Sequence, residues 1–141
     1  MKLPHLVIYT DRLPDGVAGT ANGPLIRLRP AYRGDAGLHA HEYQHVIQWY
    51  QASAMTALLL VGLALACGDM QGSLLALWPA TLGTHPLAYL QWPRYRLWCE
   101  VQAYKEQVRH GLRLDDAARR LMSLRYQLGL QYNDARRLLG A

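Results

Sequence analysis

Apolar and polar positions in this chain follow two periods in turn, and the change from one to the other divides it. HLVIY at 5–9 is rich in β-branched and aromatic side chains, which predicts a short strand. LPDG at 13–16 and GTANG at 19–23 are turn signals. PLIRLRP at 24–30 alternates, with Ile26 and Leu28 on one face and Leu25, Arg27 and Arg29 on the other. Pro24 and Pro30 bracket it, so it is expected as an edge strand. After the breaker cluster RGDAG at 33–37 the period lengthens. A helical pattern starts near Leu38 and runs through Trp49 into an apolar stretch that GDMQG at 68–72 ends.

Downstream the helical period persists in shorter pieces. LLALW at 74–78 is one, stopped by Pro79 or by a TLGTHP turn at 81–86. RYRLWCEVQAYKEQVRHG after Pro93 is an amphipathic helix with Gly111 as its stop. DDAARRLMSL and NDARRLL are short basic helices, with Asp115 and Asn133 expected as their N-caps. They share a phrase, but two copies of a short helix do not make a repeat array. The expected fold is one helix-dominated α+β domain over 1–141. A small N-terminal sheet fills 1–33, helices and the apolar segment fill 34–110, and a helical appendage fills 111–141.

Composition sharpens this picture. At 141 residues, 51% hydrophobic and 18% charged, the chain is core-forming rather than disordered or collagenous. The net charge of +5 is unevenly spread. Residues 1–33 carry five basic and two acidic groups, and residues 94–141 carry ten and five. Between Gly34 and Pro93 there is no Lys or Arg, and the acids are Asp35, Glu42 and Asp69. That pattern lacks the continuous basic face of a nucleic-acid binder, and Arg119, Arg120, Arg136 and Arg137 read as a solvated helix face.

Residues 46–68 form a charge-free run long enough to span a bilayer. Gln48, Gln51, Ser53 and Thr56 dilute its first third, which suits a buried core helix or a membrane-touching hairpin within 46–93 better than a span. The N-terminus lacks the apolar core and cleavage site of a signal peptide, and two isolated cysteines, Cys67 and Cys99, fit a reducing compartment. A cytoplasmic protein is expected, with membrane or virion association as the alternatives. No motif fixes an oligomeric state.

The chemistry lies in HEYQH at 41–45, an H-E-x-x-H sequence on a predicted helix. Four residues is about one turn, so His41 and His45 project from one face toward a single ion, and neutral imidazoles suit Zn²⁺. Glu42 is then placed to act as general base on water. The competing reading is a surface helix with two solvated histidines. A catalytic zinc needs a third protein ligand. The metzincin form would require Gly at 48 and His at 51, where this chain has Gln48 and Gln51. Glu42, Glu100 and Glu106 are the glutamates. Glu106 lies in a polar run, whereas Glu100 shares an apolar helix face with Leu97, Val101 and Tyr104. A carboxylate among apolar neighbours must be paired or metal-bound, which selects Glu100. His39, two residues from His41, points to another side of the helix and reads as a bystander. Trp49, Trp78, Trp92 and Trp98 read as core or interface anchors.

His41-Glu42-x-x-His45 followed by Glu100 in an E-x-x-A-Y context resembles the gluzincin zinc metallopeptidases. More narrowly it resembles the minimal gluzincins and short zincin-like proteins of bacterial and phage genomes. The resemblance covers about residues 20–106 and implies a zincin-like domain, Zn²⁺ as cofactor, and a peptide or protein substrate held antiparallel against an edge strand, here Gly23–Pro30. It also implies an acidic residue four after the glutamate ligand, where this chain has Tyr104. A backbone carbonyl or Asp35 would then have to orient the first histidine. The Tyr or His that the family uses to stabilise the transition state has four candidates, Tyr95, His85, Tyr104 and His110. Tyr95, about one turn before Glu100, is preferred. The expected function is a zinc peptidase. The alternatives are a weak or inactive zincin-like binding module and a membrane-associated protease.

Overall fold

The computed structural model of the protein describes residues 2–69, 72–123, 126 and 128–140. Its fold is α+β and helix-dominated, with a small three-stranded mixed sheet near the N-terminus. Strands β1 (Leu6–Tyr9), β2 (Gly19–Asn22) and β3 (Leu25–Leu28) lie in the order β1-β3-β2. β3 pairs parallel with β1, Leu25 opposite Leu6, and antiparallel with β2, Leu28 opposite Gly19.

Two expectations fail here. β3 is the central strand, not an edge, because Pro24 and Pro30 fall just outside the ladder and their missing N–H groups cost it nothing. GTANG is mostly strand, and only Gly23 and Pro24 turn the chain between β2 and β3. Gly23, at φ 59°, supplies the positive dihedral that a two-residue hairpin needs.

Helix α1 (Ala36–Ala66) starts at Asp35, whose Oδ1 accepts a 2.8 Å hydrogen bond from the Leu38 N–H. A 3-10 helix (Leu75–Gly83) then leads into α2 (Thr84–Gln91) and α3 (Pro93–Arg109). The 3-10 helix passes through Pro79, and the expected TLGTHP turn is helical instead. Pro86 is third in α2, where a helix has no use for its N–H. The last helices are α4 (Leu114–Leu121) and α5 (Tyr132–Gly140). Neither predicted N-cap holds. Arg113 precedes α4, and Asp115 sits in its first turn, accepting from Tyr132 Oη and Arg136 Nε at 2.9 Å each. Asn133 lies inside α5. Met70 and Gln71 of GDMQG, and Leu124 at the end of DDAARRLMSL, lie outside the described residues.

Two apolar clusters hold the body together. Ile26 and Leu28 of β3 pack on Leu38 and Val46 of α1, with Val7, Tyr9, Tyr43 and Tyr50 around them. Val101 and Tyr104 of α3 pack on Ala117, Ala118 and Leu121 of α4 and on Ala135 and Leu139 of α5. α1 and α3 pack on each other, and His41 and His45 of the HEYQH segment face that contact. Beyond Ser53, α1 leaves the body and its large side chains are mostly exposed, so this half is not the buried core helix that composition allowed. Cys67 and Cys99 are both free thiols, one exposed and one buried.

Candidate metal centre

His41 and His45 lie one turn apart on α1, and α3 brings Glu100 against them. One ligand atom from each lies within 4.8 Å of the others. His41 Nε2 is 3.7 Å from Glu100 Oε2, and His45 Nε2 is 3.5 Å from Glu100 Oε1. Ligands at zinc bond lengths around a tetrahedral ion stand about 3.3 Å apart, so the two His–Glu100 separations are near that spacing and the widest separation would have to close by about 1.5 Å. Glu100 is 1% exposed, and its Oε2 is buried with no hydrogen-bond partner. A buried carboxylate oxygen left without a partner is costly, and this one faces two imidazole nitrogens in a group that could hold a metal ion. The donor set of two imidazoles and a carboxylate fits zinc.

The supporting residues were not visible in the sequence. Gln48 is buried on α1, one turn beyond His45. Its Nε2 donates to the Cys99 carbonyl at 3.0 Å, which fixes the amide so that Oε1 accepts from His45 Nδ1 at 2.9 Å. With the proton held on Nδ1, the Nε2 lone pair of His45 is left facing Glu100. On the far side, Tyr89 of α2 donates its hydroxyl to Glu100 Oε1. Burial and the neighbouring Glu100 push the Tyr89 phenol far up, so it stays a donor. A reader of the sequence could have found Tyr89 only by recognising that Pro86 opens a helix.

His41 is held differently. Tyr104, in the position where the resemblance implies an acid, packs its ring edge-on against His41 at 4.5 Å between centroids. The Tyr104 hydroxyl is hydrogen-bonded to that of Tyr126 at 2.9 Å, away from the imidazole. Neither expected orienting group is present: His41 Nδ1 is buried without a hydrogen-bond partner among the described residues, and Asp35 accepts from the Leu38 N–H as the α1 cap. Gln107, one turn past Tyr104 and buried, is the side chain that favours the protonated ring. Burial outweighs it, helped by His45 and Arg120, and holds His41 well below its usual pKa as the neutral, ligating form.

Glu42 is 5% exposed and lies under β2. Burial pushes its carboxyl up to about 7; His45 opposes the rise and Glu100 adds to it. A Cβ at Gly19 would come 2.9 Å from Glu42 Oε1 and 2.5 Å from Leu28 Cδ2. The absence of a side chain at Gly19 is what lets the β2 backbone run beside this acid. β2 pairs with β3 on one side, so it is an edge strand of the sheet next to Glu42.

The remaining candidates sort by distance from the cluster. Tyr95 is one step removed, its hydroxyl hydrogen-bonded to His85 Nδ1 at 2.9 Å. Burial and then His45 lower His85 to about 4, so its ring is neutral. His110 is exposed at the end of α3, with Nδ1 on the Glu106 carbonyl. His39 turns to Tyr9 Oη at 3.3 Å, as a bystander would. Glu106 pairs with Arg109. Compared with family models, with curated proteins and with solved structures, this chain matches none.

Proposed function

We propose that the protein is a zinc-dependent peptidase of the gluzincin type, with His41, His45 and Glu100 as the metal ligands. The observation that carries this reading is the buried, unpartnered Glu100 Oε2 set against two imidazoles one turn apart, with Glu42 beside them. Zinc held there would supply Lewis acidity, polarising a peptide carbonyl and lowering the pKa of water toward about 7.

The chain's own residues do the rest. Glu42 takes a proton from the attacking water on a carboxylate oxygen and passes it to the leaving nitrogen as the C–N bond breaks. Its raised affinity for protons suits that exchange near neutral pH. Tyr89 and Gln48 keep Glu100 and His45 aimed. Substrate peptide would add along the free edge of β2 rather than along β3, whose two edges are both paired.

A second reading, a zincin-like binding module without turnover, draws on the deep burial of His41, Glu42 and Glu100. Both readings are tested by measuring zinc in the purified protein beside His45→Ala, then hydrolysis of a casein or peptide library by wild type and Glu42→Gln. Stoichiometric zinc in wild type and Glu42→Gln, with hydrolysis in wild type alone, supports the peptidase. Zinc without hydrolysis supports the module. Equal zinc in wild type and His45→Ala would defeat both.

A further inference from the structure

We infer that the hairpin formed by the second half of α1 and the 3-10 helix inserts into one leaflet of an anionic phospholipid bilayer. The starting point is where the apolar side chains point. Met55, Leu58, Leu59, Val61, Leu63 and Leu65 are all exposed, Leu58 by 69% and Leu65 by 77%. At 100° per residue these six cover more than half of the helix circumference. The remaining side carries Ser53 and Ala64, both buried, and is the face that packs on the chain. On the return, Leu75, Leu77 and Trp78 are exposed in their turn. A run of large exposed apolar side chains of this kind marks an interaction surface.

The breadth of this surface favours lipid over a protein partner. A helix docking on protein needs an apolar stripe roughly 100° wide, whereas one that is apolar on every free side suits a hydrocarbon solvent. Charge points the same way. From Gly34 to Pro93 there is no cation, while the flanking segments carry a net excess of eight positive charges. That excess complements an anionic headgroup layer and is wasted on a neutral one. Where the uncharged run ends, Trp92, Tyr95 and Trp98 stack at centroid spacings of 6.4 and 5.9 Å, with both tryptophans exposed. Exposed tryptophan beside a cation, here Arg94, is the composition of a membrane–water interface.

Length decides between insertion and spanning. Residues 54–66 of α1 extend about 20 Å, against about 30 Å for a hydrocarbon core and 40–45 Å for a whole bilayer. The hairpin therefore reaches through one leaflet and returns. The acid at its turn, Asp69, is paired internally, accepting from the Ser73 and Leu74 N–H groups at 3.1 and 2.6 Å. Nothing in this inference requires a metal.

The test is flotation of the full chain, prepared in EDTA, with vesicles of phosphatidylcholine alone or containing phosphatidylglycerol. Wild type is expected to float with the phosphatidylglycerol vesicles, and markedly less with phosphatidylcholine alone. Leu58→Glu/Leu65→Glu changes two exposed side chains and should retain the far-UV circular dichroism while binding falls roughly tenfold or more. Trp emission should shift to the blue on binding in wild type and not in the variant. Failure of wild type to float, equal flotation of the double variant, or equal binding to both vesicle types would overturn the inference. So would a stable dimer that buries the hairpin and stays off vesicles.

Discussion

Replacing Gln48 by Leu should weaken zinc binding without touching a ligand. The substitution keeps the volume of the side chain and removes both of its hydrogen bonds. The Cys99 carbonyl, inside α3, keeps its helical partner and loses only a second donor, whereas His45 Nδ1 loses the acceptor that holds its proton. Losing these bonds costs about 0.5–1.5 kcal/mol each, which applies to the metal-free protein as well. Releasing the imidazole from its fixed tautomer and orientation should lower zinc affinity a further 10–100-fold, or about 1.4–2.7 kcal/mol. The two effects separate if unfolding is measured in EDTA while zinc affinity is measured by chelator competition on the folded protein. Gln48→Glu is the informative partner, since a carboxylate can accept from His45 but cannot donate to Cys99. It should recover part of the zinc affinity and little of the metal-free stability. If Gln48→Leu binds zinc within about threefold of wild type while its EDTA stability falls, Gln48 is a structural strut and the orienting role is wrong.

Tyr89→Phe removes one hydroxyl from Glu100 and should raise the zinc dissociation constant about tenfold, with little change in the fold; an unchanged constant by the same competition assay would refute it. Gly19→Val drives a side chain into Leu28 and Glu42 and should destabilise by roughly 1–3 kcal/mol in urea unfolding, with a matching loss of any hydrolysis. A neutral result would mean that β2 does not sit against the acid. In EDTA, stability should also vary with pH. Glu42, raised to about 7, contributes stability that is present in acid and lost as pH climbs through 7. His41 and His85, both lowered, contribute stability that is present above about 6.5 and lost as pH falls toward their folded values. Two imidazoles outweigh one carboxyl, so urea midpoints should rise from about pH 5 to 6.5 and then turn down. A flat profile over that range would contradict the burial of these groups.

The parts of the site that could be read from sequence are those whose geometry is local. His41 and His45 share a face because a helix turns every 3.6 residues, whatever surrounds it. Glu100 could be chosen because a carboxylate on an apolar helix face needs a reason to be there. The strands were harder. Proline reports a missing N–H but not whether it falls inside the ladder, so Pro24 and Pro30 put β3 at an edge when it lies in the centre. The same ambiguity hid α2, since Pro86 looks like a stop and acts as part of a first turn. With α2 went Tyr89. Gln48 was concealed for another reason. Its role depends on the crossing of α1 and α3, which brings a backbone carbonyl fifty-one residues away within hydrogen-bond reach. No local pattern encodes that contact.

The missing cations of residues 34–93 belong with both halves of this picture. Near the cluster, a lysine or arginine able to reach Glu100 would pair with its free oxygen and take the place of an ion. Arg120 of α4 acts on His41 and further discourages its protonation, which favours a ligand. Along the exposed half of α1 a cation would serve no partner within the chain, because no acid lies there before Asp69 and that acid is already bonded to backbone. One helix carries both segments without a break from Ala36 to Ala66, so a single cation-free sequence satisfies a metal site at one end and an apolar surface at the other. The positive charge left to the flanks is partly spent in local pairs, Arg119 with Asp116, Arg136 with Asp115 and Arg137 with Asp134. These exposed pairs contribute little stability, and the net excess of positive charge on the flanks lies in the cations beyond them. The absence of cations from the middle is therefore a constraint set by α1, and the flanks carry all of the chain's positive charge.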